Sequence, residues 1–248
     1  MSSAPLVEAI FEIRWQLDGK GTKPPVDSNY KIFLGRMFDR VIQEYPHHVS
    51  LPTANLPDEI SAYVAQHQFR KGKDEWPLIQ IGQGILTLND TEAYSWSDFQ
   101  QRAQNLTKMM FDAYPDPKKL RIRSLLIRYL NGKKFNFEKH DPVEFLKKLQ
   151  CNIAMDDTFF ITSNTKKKMT NFNFYFEFPL NHPKGRVITR YGRGILKGQS
   201  SAIVWEMGVI SDGNDAPKTP DGMVKWIDES HEIPHKWYNS IKDNLGVE

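Results

Sequence analysis

The chain has 248 residues, 40% of them hydrophobic and 25% charged, with a formal net charge of +3. This composition can build a sizeable core and excludes a disordered chain; the charge is too small to imply nucleic acid by itself. Cys151 is the only cysteine, which excludes an intrachain disulfide or a thiolate cluster and leads us to expect a reducing, cytoplasmic setting. No apolar run approaches the ~18–20 residues of a membrane span, and Glu8, Glu12 and Arg14 interrupt the first apolar stretch, so neither a membrane partner nor a signal peptide is expected.

In chain order, Leu6 to Gln16 alternates at period two, with Val7, Ala9, Phe11, Ile13 and Trp15 on one side, and predicts a strand. Tyr30, Phe33, Leu34, Met37, Phe38, Val41, Ile42 and Tyr45 then follow a helical face, capped by Ser28 and ended by Pro46. Residues 47 to 75 read as irregular, with a short strand around Tyr63 to Phe69. Leu78 to Leu88 is strand-like, with a bulge or hairpin at Gly82 and Gly84, and a helix opening at Ser95 or Ser97 runs to Tyr114. Leu120 to Leu130 predicts an apolar strand, and Pro142 to Leu149 a short helix. Phe172, Phe174, Phe176 and Phe178 alternate with polar residues, the pattern of a strand with one buried face. Arg186 to Leu196 and Ala202 to Ile210 are two further strands. A last helix begins at Thr219-Pro220, with an interruption expected at Pro234.

The order predicts an α+β fold: an antiparallel or mixed sheet packed by long amphipathic helices, with a β-meander in the C-terminal half. Two halves are expected, 1–138 and 139–248, either separate or merged in one continuous domain.

Pro5 to Arg14 (PLVEAIFEIR), Trp76 to Gln80, Tyr94-x-Trp96-x-x-Phe99, Arg128-Tyr129-Leu130-Asn131 and the closing Ser230-His231-Glu232, in that order, resemble a sporadically distributed family of prokaryotic proteins. The resemblance spans nearly the whole chain and brings no activity with it. It implies an accessory, patchily inherited gene, of the kind that accompanies defence or mobile-element systems, and an unbroken helix where this chain has Pro234.

Three constellations carry candidate chemistry. His231-Glu232-Ile233-Pro234-His235 matches H-E-x-x-H, in which a helix presents two histidines to zinc and a glutamate acts as base. Against a zinc site at His231 and His235 stand the proline inside that turn and the absence of a nearby third ligand; His182 or the His47-His48 pair would have to supply one.

Arg128 is expected on the same strand face as Leu120, Ile122, Leu126 and Leu130, where a guanidinium requires a partner; a cross-strand ion pair with Glu12 answers that need. Finally, Lys118 to Gln150 carries ten Lys or Arg against three Asp or Glu. Arg121, Arg123, Lys166, Lys167, Lys168, Arg190 and Arg193 are candidates to follow a phosphate backbone, against the alternative of solvated surface lysines. Cys151 lacks a nucleophile motif and reads as packing, and Asp156-Asp157 as a turn or cap. The function expected from these features is non-catalytic binding of another protein or a regulatory role. Nucleic-acid binding is the alternative, and zinc-dependent hydrolysis the third.

Overall fold

The computed structural model describes residues 5–19, 24–91 and 94–245. The elements are β1 (Leu6–Trp15), α1 (Tyr30–Val41), β2 (His47–Ser50), β3 (His67–Arg70), β4 (Leu78–Gly82), β5 (Ile85–Asp90) and α2 (Trp96–Ala113). After them come β6 (Ile122–Lys134), α3 (Pro142–Lys148), α4 (Asp157–Thr162), β7 (Asn173–Leu180), β8 (Gly185–Leu196), β9 (Ser200–Asp212) and α5 (Pro220–Leu245). The fold is mixed α+β. All nine strands join one sheet in the order β2-β3-β4-β5-β1-β6-β9-β8-β7, and every neighbouring pair is antiparallel. No described helix is long and apolar enough to cross a membrane.

β1 lies in the middle of this sheet, with Phe11 opposite Leu88 on one side and Ile127 on the other. Its alternation is what makes that place possible. Ala9, Phe11, Ile13 and Trp15 are fully buried under α1, α2 and α5, whereas Glu8, Glu12 and Arg14 point to the other face of the sheet. The helices are set by local chemistry. The Ser95 hydroxyl accepts the Asp98 N–H at the start of α2, and Asp141 and Asp156 cap α3 and α4 in the same way. At the start of α5 the Thr219 hydroxyl accepts the Gly222 N–H, and Pro220 occupies the first turn.

Several expectations are corrected. Ser28 does not cap α1: its hydroxyl donates to Asp18, and Asp27 instead accepts the Asn29 N–H. Buried Asp27 also accepts Trp15 Nε1 at 2.8 Å and the Tyr114 hydroxyl at 3.0 Å, tying β1, α1 and the end of α2 together. Residues 47 to 75 are not merely irregular, since β2 and β3 extend the sheet there. The bend at Gly82–Gly84 is a hairpin turn, with Gly84 at φ +77°.

The helix α5 is not interrupted at Pro234. Proline removes the donor for the Ser230 carbonyl, yet Trp226, Ile227, Ser230, His231 and Pro234 are all buried along one side, and that packing holds the turn helical.

Two apolar clusters fill the helix-covered face. The first gathers β1, β5, β6, α1, α2 and α5; the second gathers Phe145, Leu146 and Leu149 with Tyr191, Ile203, Trp205, Ile241 and Leu245. Cys151 is buried in the second, as packing.

Candidate functional site

The expected basic surface is divided by the fold. Arg121 and Arg123 stand exposed at the start of β6, with the Arg123 guanidinium 4.9 Å from the Tyr63 ring centre. Arg193 lies opposite Ile203, which in turn lies opposite Lys133, near the far end of β6. At roughly 3.3 Å per residue, the two groups are about 33 Å apart along the strand.

Around the second group the charges are locally engaged. Arg193 donates to the Thr170 carbonyl and covers the Phe137 ring, Arg190 donates to Asn173, Lys167 pairs with Asp157 at 2.6 Å and Lys168 donates to the Glu138 carbonyl. Lys166 is exposed beside them in sequence.

Glu12 and Arg128 do not form the expected ion pair. Glu12 pairs with Arg14 at 2.7 Å, and the carboxylate within reach of Arg128 is Glu206 at 3.8 Å. The register explains this. Arg128 lies opposite Ile10, and Glu12 opposite Leu126, so the two charges are one diagonal step apart. Arg128 does share a side of β6 with Leu126 and Leu130, as expected, but that is the outer side; the buried residues are Leu125, Ile127 and Tyr129, together with Leu120 and Ile122.

A buried polar and aromatic cluster forms at the histidine motif. The His231 ring stacks on Trp96, with centroids 3.6 Å apart and planes at 7°, and its Nδ1 is 2.7 Å from the Tyr129 hydroxyl. Tyr94 donates to that same hydroxyl at 3.2 Å. Burial and the neighbouring His235 push His231 down to about 4, so the imidazole is neutral at physiological pH. Burial also pushes the phenols of Tyr94 and Tyr129 well above their ordinary value.

His231 and His235 do share a face of α5, with ring centroids 5.2 Å apart, but His235 Nε2 bonds to Asn239 at 2.9 Å. His182 sits 3.0 Å from Glu229, and His48 pairs with His67 at 3.0 Å. Among the described residues, no three His, Cys, Asp or Glu side chains gather as a metal would require.

Next to His231 opens a cavity of about 170 Å³, walled by Pro5, Leu6, Tyr94, Tyr129, Asn131, Met207 and one side of α5 from His231 to Tyr238. Four of the five motif segments singled out in the sequence meet here: Pro5 and Leu6 from the first, Tyr94 from the third, Tyr129 and Asn131 from the fourth, and His231 from the fifth. Sequence reasoning took these segments one at a time. Period two put the apolar face of β6 on the side of Leu126, Arg128 and Leu130, away from Tyr129, and nothing in one chain said that β6 and α5 would bring Tyr129 and His231 together.

A second feature is the outer edge of β7. Among the described residues β7 pairs only with β8, and Phe172, Phe174, Phe176 and Phe178 stack along it at 5.5, 6.5 and 6.3 Å. The ladder begins buried at Phe172 and emerges into solvent at Phe178, which is 54% exposed; Tyr175 on the other face is 55% exposed. The expected buried face is therefore only partly covered, because the helices end before the sheet does.

A scan of protein-family models and a search of curated proteins both find no match to this chain.

Proposed function

We propose that the protein is a non-catalytic binding component that recognises another protein by accepting one of its extended segments as a tenth strand beside β7. The observation that supports this reading is the eight-residue edge that no described strand pairs, with its partly exposed phenylalanine ladder. Such an edge invites association and costs solubility unless something pairs with it. An added strand gains main-chain hydrogen bonds, and apolar side chains at its alternate positions extend the ladder. The chemistry elsewhere fits a binding role: burial raises the Cys151 thiol and so disfavours its nucleophilic thiolate, and His231 is neutral and hydrogen-bonded to Tyr129. From the resemblance, we place this binding role in an accessory prokaryotic system.

The test is a photoreactive phenylalanine analogue at position 178, illuminated in the native host. A discrete protein adduct that maps to this edge, and disappears in a folded Phe176→Lys variant, is the expected result. Absence of an adduct, or nuclease-sensitive adducts, would overturn the reading, the latter in favour of nucleic acid.

A further inference from the structure

The cavity beside His231 has properties independent of the β7 edge. Its walls are aromatic and aliphatic, and no lysine, arginine, aspartate or glutamate lines it among the described residues. Its size, about 170 Å³, compares with the ~150 Å³ that suffices for an apolar cavity to take up benzene.

Two polar groups on this wall lack partners among the described residues. Asn131 is only 5% exposed, and its side-chain amide, with both donors and an acceptor, makes no hydrogen bond there. The second is on His231. Tyr94 donates to Tyr129, which leaves the Tyr129 proton to go to His231 Nδ1; the neutral ring then carries its own proton on Nε2, a donor that no described residue accepts. Neither group is sealed from solvent, so both are free to bond a guest, and an apolar pocket with a few convergent polar groups is the usual form of a small-molecule site.

We propose that this cavity binds a small uncharged ring compound, a monocyclic aromatic or heteroaromatic molecule with one hydroxyl or carbonyl. Asn131 and His231 meet its polar atom, and Tyr94, Tyr129, Trp237 and Tyr238 enclose its ring. Aromatic walls suit a flat ring in edge or offset contact. An anion would shed its hydration here without a cation to replace it.

Phenol, benzene and benzoate, titrated into the full chain while the Met207 methyl resonance is followed, test the assignment. Phenol is expected to shift that resonance saturably, with a dissociation constant on the order of 0.1 to 1 mM for a seven-atom ligand. Benzoate is expected to bind at least about tenfold more weakly. Asn131→Leu should weaken phenol about tenfold and leave benzene within about twofold; Asn131→Ser serves if the leucine variant does not fold. No saturable shift, equal binding of benzoate, or unchanged phenol affinity in the folded Asn131 variant would overturn the proposal.

Discussion

The two apolar clusters under the sheet are built from similar residues and finished differently. Around β1, the sheet lies under α1, α2 and α5, and Phe11, Phe33, Phe69 and Phe99 are completely buried. Towards β7, α3 and the end of α5 cover Trp205, Ile203 and Tyr191, but Phe174 and Phe176 are only partly covered and Phe178 is more than half exposed. The first region is closed to association and carries the stability. In the second, coverage runs out across two strands, which leaves the edge proposed above to receive another chain. Aromatic content alone does not separate buried core from exposed edge; helix coverage does.

Substitutions should break this symmetry in order of size. Phe11→Ala should cost about 3–5 kcal/mol in equilibrium unfolding, and Phe176→Ala only about 1 kcal/mol. Equal losses would mean that the β7 region is as well packed as the first. Asp27→Ala should cost roughly 2–4 kcal/mol, because it strands the Trp15 indole N–H and the Tyr114 hydroxyl inside the first cluster.

A smaller effect comes with pH. His231 titrates near 4 in the folded protein against an ordinary 6.5, so the unfolded chain binds more protons between those values. Its contribution to stability is complete above about pH 6.5 and declines towards pH 4, by on the order of 3 kcal/mol. Asp90 works in the opposite sense. Burial pushes it up to about 6 from 3.8, so its contribution is greatest below 3.8 and is lost as pH rises through 6. His231→Gln should remove the first slope and expose the second, and NMR titration of His231 should give a midpoint near 4. The smallest change is Lys167→Ala, an exposed pair with Asp157, expected to cost less than about 0.5 kcal/mol.

Much of the first cluster was legible because its signals agree. β1 alternates cleanly, α2 has a serine cap and a proline just beyond its end, and α5 starts at Thr-Pro. β6 was misread because both its faces are apolar, with Leu125 and Ile127 inward and Leu126 and Leu130 outward, so period two does not choose between them. A register shift between Arg14 and Trp15 then places Ile122 with the inward set.

The phenylalanine ladder was read correctly as a strand but not as an edge, since alternation reports a face and not the number of neighbours. At the candidate site, the H-E-x-x-H match was visible, but the partners that occupy its first histidine were not. Trp96 and Tyr129 come from elements 135 and 102 positions earlier, and only the fold brings them to His231.

The central place of β1 has a consequence for how the chain is made. Ile10 pairs with Asn89 and with Arg128, partners synthesised roughly 80 and 120 residues later. At about 5–20 residues per second, the strand waits on the order of ten seconds for its second neighbour. Pairings this distant also slow folding through the loop-closure entropy they demand. Until β5 emerges, Phe11, Ile13 and Trp15 form an apolar stripe with no sheet to enter. The segment that is most protected in the finished molecule is thus the one most exposed to aggregation while the chain is being synthesised.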